Sequence, residues 1–99
     1  MNVPPPPPSS ANVRLSAAPD ATYTYTLSAN APVMRLYSTG PQVRGLQERL
    51  NEAGFNAGPI DGDFGWRTRR AVMDFQRANG LEVDGIAGPI TINRLLNTN

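Results

Sequence analysis

The sequence predicts a mainly α domain, a three-helix bundle with two Asp-Gly loops, preceded by an extended, proline-rich and β-strand-like N-terminal arm. From residue 39 onward, apolar residues recur at spacings of three and four, which is typical of one buried helix face. The phrase Asp-Gly-x-x-Gly-x-x-Thr occurs twice, at 61–68 and 84–91, and each copy leads into a helical pattern. Residues 1–38 instead combine a proline run with alternating β-branched and aromatic residues.

The N-terminal arm divides into two segments. Residues 1–11 contain the run Pro4–Pro8, which favours a stiff polyproline II spacer. Residues 12–38 contain short strand candidates at 13–15, 22–27 and 33–37. A few short strands do not form a core by themselves. We therefore expect the arm to lie on the C-terminal domain, on another copy of the chain or on a different protein.

The bundle is expected to occupy residues 39–99. The first helix begins near Pro41, because proline suits the first helical position, and ends at Gly54. A second helix is predicted from about residue 66 to residue 79, followed by a stop at Gly80, and a third starts near Pro89. The buried helical positions are expected to be Val43, Leu46, Leu50, Ala53, Thr68, Ala71, Val72, Phe75, Ala78, Ile92, Leu95 and Leu96. Apolar residues of the two connectors should fill the remaining space: Phe55, Ile60, Phe64, Leu81, Val83 and Ile86.

The repeated phrase suits a loop that leads into a helix. Its first Gly permits a positive φ, and its Asp can accept backbone N–H groups of its own turn. The second Gly allows close passage into the helix, where Thr68 and Thr91 could satisfy an unpaired helical amide. The apolar residue before each Asp, Ile60 or Val83, is expected to anchor the loop.

Composition excludes most catalytic chemistry. The chain has no Cys and no His, so thiol nucleophiles, histidine bases and histidine-ligated or thiolate-ligated zinc are absent. Only carboxylate chemistry remains, and the acids lie in turns or on exposed helix faces rather than around a sugar-sized cleft. The Asp61-Gly62-Asp63 sequence fails the calcium-loop register, which would place Trp66 where Gly is required. We expect no enzyme activity, no metal and no cofactor.

Charge and hydropathy exclude two classes of partner. The net charge is +1, and basic residues do not alternate with aromatic ones, so nucleic-acid binding is not expected. No apolar run approaches the ~18 residues that a membrane span needs, so no membrane partner is expected either. The first residues have neither the basic nor the apolar region of a standard secretory signal.

The combined spacing over about residues 40–96 resembles the peptidoglycan-binding domain of the small three-helix type, a module of bacterial cell-wall hydrolases and bacteriophage proteins. The matching positions are Val43, Leu46, Gln47, Leu50, Gly54, Phe55, Ile60, Asp61, Gly62, Phe64, Gly65, Thr68, Ala71, Val72, Phe75, Gln76, Gly80, Leu81, Asp84, Gly85, Gly88, Thr91 and Leu95. The resemblance implies a non-catalytic cleft for peptidoglycan stem peptides or the adjacent glycan, with no catalytic residues.

A ligand of that kind offers carboxylates, amides and sugar hydroxyls. The residues that suit it are Asp61, Gly62, Asp63, Gly65, Trp66, Arg67 and Gln76. Trp66 could be exposed and stack on a sugar face or an apolar peptide edge, or it could be partly buried against the first helix or the arm. Gln47 and Gln76 could contact ligand or hydrogen-bond a loop carbonyl.

The arm suggests that the chain is docked in a larger assembly. Our leading expectation is a bacteriophage virion component in the tail, baseplate or capsid surface, anchored to other virion proteins through residues 1–38. The alternative is a targeting subunit or fragment of a cell-wall hydrolase, located in the bacterial cell wall or envelope. A second alternative is a structural virion packing module that no longer binds ligand.

Overall fold

The computed structural model describes residues 27–97 and confirms a mainly α domain with three helices. Helix α1 spans Pro41–Glu52, α2 spans Trp66–Ala78 and α3 spans Pro89–Leu96. The predicted proline spacer, the strand candidate at 13–15 and all but the last residue of the candidate at 22–27 lie outside the described residues.

Glycines set the helix boundaries. Each helix has a glycine N-cap, and the three are Gly40, Gly65 and Gly88. Helix α1 ends where Gly54 takes a φ of 94°, and Phe55 N–H donates to the Leu50 carbonyl at 2.8 Å. Helix α2 ends in the same way at Gly80, whose φ is 69°. Both predicted stops are confirmed.

The buried core lies between the three helices and their connectors. Its apolar members are Leu27, Met34, Val43, Leu46, Leu50, Ala57, Phe64, Ala71, Val72, Phe75, Ala87, Ile92 and Leu95. The Phe55 and Phe75 rings meet edge to face, with centroids 5.5 Å apart. Arg49 joins the first helix to the end of the third, because its guanidinium donates to the carbonyls of Leu95 and Leu96 at 3.3 and 3.2 Å.

Three apolar residues that were expected inside are exposed. Ile60 is 43% exposed, Val83 is 39% exposed, and Ala78 is also on the surface. The prediction that Ile60 and Val83 anchor the Asp-Gly loops is therefore wrong. Hydrogen bonds from a buried side chain hold each loop, so the residue before the Asp is left facing solvent.

Residues 27–40 pack on the bundle and run beside both Asp-Gly loops. Met34 and Ala87 exchange two backbone hydrogen bonds of 3.1 and 2.8 Å. Phe64 N–H donates to the Ser38 carbonyl at 2.9 Å, and Tyr37 N–H donates to the Phe64 carbonyl at 2.8 Å. The strand candidate at 33–37 is thus reduced to an isolated bridge at Met34. Packing onto the C-terminal domain, one of the three expected surfaces, is seen for this part of the arm.

A tight turn over residues 35–38 separates the two contacts of this segment. Ser38 N–H donates to the Arg35 carbonyl at 2.8 Å, and Tyr37 within the turn has a φ of 80°. Type II turns place a residue with such a φ at their third position and favour glycine there. A non-glycine residue with this backbone conformation costs about 1 kcal/mol, so the backbone of Tyr37 is strained.

Two glycines with positive φ provide a matched test of the first Asp-Gly loop. We expect Gly62→Ala to lower the free energy of unfolding by about 2–3 kcal/mol, because the new methyl would meet Arg44 and lie 3.3 Å from the Gly40 carbonyl oxygen. Gly54→Ala should cost only about 1 kcal/mol, since its φ is similar but no atom lies within 4 Å. Urea unfolding measures both, and equal losses would contradict the steric explanation.

Candidate functional site

The first Asp-Gly loop, residues 61–65, is organised by the buried amide of Gln47. The Gln47 Oε1 accepts the N–H groups of Asp61 and Gly62, each at 3.0 Å. Its Nε2 donates to Asp61 Oδ1 at 3.1 Å, to the Asp63 carbonyl at 2.9 Å and to Thr68 Oγ1 at 3.0 Å. One side chain of α1 therefore fixes the loop and the start of α2 together.

The second Asp-Gly loop, residues 84–88, repeats this network around Gln76. The Gln76 Oε1 accepts the N–H groups of Asp84 and Gly85 at 3.1 and 3.0 Å. Its Nε2 donates to Asp84 Oδ1 at 2.9 Å, to the Ile86 carbonyl at 3.0 Å and to Thr91 Oγ1 at 3.1 Å. The sequence repeat is therefore a structural repeat, in which α1 and α2 each supply the glutamine that fixes the loop after them.

These networks decide the roles of the glutamines and threonines. Gln47 and Gln76 are each 1% exposed, so the loop-binding alternative applies, and the amide of Gln76 is used inside the protein rather than presented to a ligand. The prediction that Thr68 and Thr91 cap helical amides is wrong, because neither α2 nor α3 has a side-chain cap. Their hydroxyls accept the glutamine hydrogens instead, and the Thr68 hydroxyl donates to the Ala57 carbonyl at 3.2 Å.

Both Asp side chains also accept a backbone hydrogen bond from their own turn, as predicted. Asp63 N–H donates to Asp61 Oδ1, and Ile86 N–H donates to Asp84 Oδ1, each at 2.9 Å. These bonds, supported by the glutamine amides, lower the pKa of both Asp carboxyls below the ordinary value. The two carboxylates therefore stay ionised at neutral pH, and any stability they add is lost as the pH falls through their folded pKa values.

The predicted site residues 61–63 line one concavity. Its volume is about 340 Å³, and the other lining residues are Thr39, Gly40, Pro41 and Arg44. The wall combines the Arg44 guanidinium with the carboxylates of Asp61 and Asp63 and with loop backbone. Opposite charges thus lie side by side on this surface, which we call the Asp61 concavity.

Trp66 lies on a second concavity, which shares no lining residue with the first. Its side chain is 64% exposed, so of the two alternatives for this residue the exposed one applies. The Arg69 guanidinium carbon lies 5.6 Å from the centre of the indole ring, within cation–π range. Arg70, Met73 and Arg77 complete this concavity of about 480 Å³ along α2.

The remaining predicted residues are divided between these surfaces and the interior. Gly65 is the N-cap of α2, directly before Trp66, and lines neither concavity. Arg67 is exposed, and its aliphatic stem occupies the space above Gly58, where a Cβ would stand 2.6 Å from Arg67 Cδ. Gln76 lies beneath the second loop. The structure therefore brings together Asp61, Gly62 and Asp63 in one concavity, places Trp66 on another, and buries Gln76.

Glu48 has a carboxyl group that sequence reasoning did not single out. Partial burial, followed by repulsion from the Glu52 carboxylate, raises its pKa from an ordinary 4.5 to about 7, although the Arg49 guanidinium opposes the shift. Glu48 lines neither concavity. The helical spacing of Glu48 and Glu52 shows their proximity, but the burial depends on tertiary packing.

Within residues 27–97, no three His, Cys, Asp or Glu side chains cluster as metal ligands would. The same stretch contains no helix with the length and apolar character needed to cross a membrane.

Comparison with known proteins identifies one family. The peptidoglycan binding domain family matches residues 39–95. A spore cortex-lytic enzyme of Oceanobacillus iheyensis is 43% identical over 77 residues, which are 78% of this chain and 27% of that protein. The chain therefore spans about a quarter of the length of this curated relative.

Two solved structures have the same fold. The N-terminal domain of SleB superposes with a TM-score of 0.66 at 41% identity, covering 72% of this chain and 94% of that one. An endolysin of the Burkholderia phage AP3 superposes with a TM-score of 0.64 at 44% identity, covering 67% of this chain and 25% of that one.

Removing either glutamine should destabilise the fold to a similar extent. We expect Gln47→Met and Gln76→Met each to cost about 3 kcal/mol, because buried N–H groups of the loop lose their acceptor. Gln42→Met is the control in α1, since within residues 27–97 Gln42 accepts a single N–H, that of Ser28 at 3.1 Å, and should cost less than about 1 kcal/mol. Chemical denaturation measures all three, and a loss confined to one loop would contradict the equivalence of the two networks.

The Glu48 carboxyl should make stability depend on pH. Its folded pKa of about 7 exceeds the ordinary 4.5, so the folded state binds the proton more tightly and stability falls as pH rises between these values. We expect Glu48→Gln to raise the free energy of unfolding by about 1 kcal/mol at pH 8, a modest gain because water screens the partly exposed charge. The gain should vanish at pH 4, and Glu82→Gln is the control for removing one exposed charge.

Proposed function

We propose that this chain, which belongs to the peptidoglycan binding domain family, holds bacterial peptidoglycan without cleaving it and targets a cell-wall hydrolase to its substrate. The observation that carries the proposal is the Asp61 concavity, with an exposed Trp66 three residues after Asp63, all within the matched residues 39–95. The ligand is bacterial peptidoglycan, and the place of action is the cell wall.

The chemistry of the Asp61 concavity suits a peptide with groups of both signs. Peptidoglycan stem peptides carry carboxylates and amides, which can meet the Arg44 guanidinium and the Asp61 and Asp63 carboxylates respectively. The low pKa of Asp61 keeps that carboxylate charged at neutral pH. The glutamine network holds the loop in place before the ligand binds. Binding therefore avoids the entropic cost of ordering the loop.

The arrangement of carboxyl groups favours binding over catalysis. Glycoside hydrolysis in most enzymes uses two carboxyl groups on opposite sides of the sugar, one of them protonated. Asp61 and Asp84 have lowered pKa values, so neither is suited to donate a proton at neutral pH. Glu48 has a raised pKa but does not line the Asp61 concavity. The catalytic step is therefore assigned to another domain or chain, and no cofactor is required.

The relatives favour a hydrolase-targeting role over the expected virion component. One is a spore cortex-lytic enzyme and another is a phage endolysin, and in each this chain corresponds to about a quarter of the protein. The hypothesis of a tail, baseplate or capsid location rests on residues 1–38 alone, of which residues 1–26 lie outside the described part of the chain. Nothing in these matches supports that location.

Retention on insoluble peptidoglycan tests the proposal. We expect the full 99-residue chain to sediment with purified sacculi and to release no soluble muropeptide or reducing sugar from them. The double variant Trp66→Ala, Arg67→Ala should bind at least about tenfold more weakly, because exposed Trp and Arg side chains contribute strongly to recognition.

Ile90→Ala is the matched control, because Ile90 is 72% exposed at the position after the second loop that corresponds to Arg67 after the first. This variant should bind as well as the original chain. Full retention of the Trp66, Arg67 double variant would remove these two residues from the proposed surface. Failure of the unsubstituted chain to sediment would instead support a packing module that has lost its ligand.

A further inference from the structure

Tyr37 combines backbone strain with almost complete exposure. Its φ of 80° makes it the one described non-glycine residue with a positive φ, and its side chain is 76% exposed. Glycine would adopt this conformation without strain. Because the ring is exposed, its burial stabilises the fold little and does not offset the backbone strain. Strain of this kind is concentrated at functional sites.

The surrounding backbone prevents the turn from relaxing. Ser38 N–H bonds the Arg35 carbonyl within the turn, and Arg35 N–H bonds Ser38 Oγ at 3.0 Å. On one side Met34 is paired with Ala87, and on the other Gly40 N–H donates to the Gly62 carbonyl at 3.0 Å. The position of Tyr37 is therefore fixed before any ligand binds.

Tyr37 and Trp66 start from the same edge of the domain. Tyr37 N–H donates to the Phe64 carbonyl at 2.8 Å, and Trp66 follows Phe64 by two residues, a stretch that spans at most about 7 Å. Thr39, two residues after Tyr37, lines the Asp61 concavity. The backbone positions of these two exposed aromatic residues thus lie close to Gly65, which follows the residues of the proposed peptide-binding surface.

We propose that Tyr37 and Trp66 together bind the sugar rings of the peptidoglycan glycan strand, with Tyr37 as a specificity-determining residue. The proposal rests on the peptidoglycan-binding function and adds the sugar strand as the ligand of this edge. One face of a pyranose ring presents C–H groups that pack on the electron-rich face of an aromatic ring, while the Tyr hydroxyl can bond a sugar hydroxyl. A glycan repeats such faces, which suits two rings in succession.

Tyr37 precedes residues 39–95 and reaches the surface only because residues 27–40 run beside the Asp-Gly loops. The charged Asp61 concavity is left for peptide groups, so sugar and peptide occupy adjacent surfaces.

The test uses a substitution that should change stability and binding in opposite directions. Glycan strands freed of stem peptides are titrated into the full chain and into its Tyr37→Gly variant, and each protein is also melted. Tyr37→Gly should weaken glycan binding about fivefold, because one stacking face is lost. It should also raise Tm by about 4 °C, because glycine removes the strain. Tyr37→Phe keeps the ring and should bind within twofold of the original chain.

Each other outcome overturns the proposal. Equal glycan affinity of the original chain and Tyr37→Gly would show that the ring contacts no sugar. A lower Tm for Tyr37→Gly would show that the ring stabilises the fold instead. Binding to sacculi but not to peptide-free glycan would assign recognition to the stem peptide alone, and the proposed peptidoglycan function would stand. Absence of binding to sacculi would remove both.

Discussion

A buried glutamine amide, used twice, is the interaction on which the rest of the structure depends. Gln47 and Gln76 each present an oxygen to two loop N–H groups and a nitrogen to a carboxylate, a carbonyl and a threonine hydroxyl. Burying an amide is unfavourable unless its hydrogen-bonding capacity is used, and here it is used fully. Each network joins one helix to the start of the next. A domain this small, with a modest core, gains a defined loop geometry from polar contacts as well as from apolar burial.

The same constraint prepares the proposed ligand surface. Because the glutamine fixes Asp61 and Gly62 from below, the outer side of the loop is free to line a concavity with Arg44. Residues 27–40 fix the loops further, because their backbone forms hydrogen bonds with Phe64 and Ala87. These two residues occupy the same position in the two loops. The first loop leads into the exposed Trp66, whereas the second leads into Pro89. The duplicated framework therefore carries different residues on its two loops, because Arg44 lies over Gly62 of the first whereas Arg69 and Met73 lie over Gly85 of the second.

Local sequence signals predicted the helices well and the loop interior poorly. Proline at a first helical position and glycine beyond a last one act through φ, a property of the residue itself, so the helix boundaries agreed within about two residues. Exposure of Ile60 and Val83 could not be predicted in this way, because it depends on which group fills the loop from the helix side. Thr68 was expected to cap α2, but the amide that approaches it comes from Gln47, 21 residues earlier.

The sequence by itself determined the three-helix class, the repeated loop, the absence of thiol and histidine chemistry and the resemblance to peptidoglycan-binding domains, since these follow from residue type and spacing. Only the tertiary structure decided that Gln76 is buried and that Trp66 is exposed. It also showed that Leu27 and Met34 belong to the core and that Tyr37 is held in a strained turn. These properties depend on contacts between segments distant in sequence, and a residue's own chemistry does not specify which distant group it will meet.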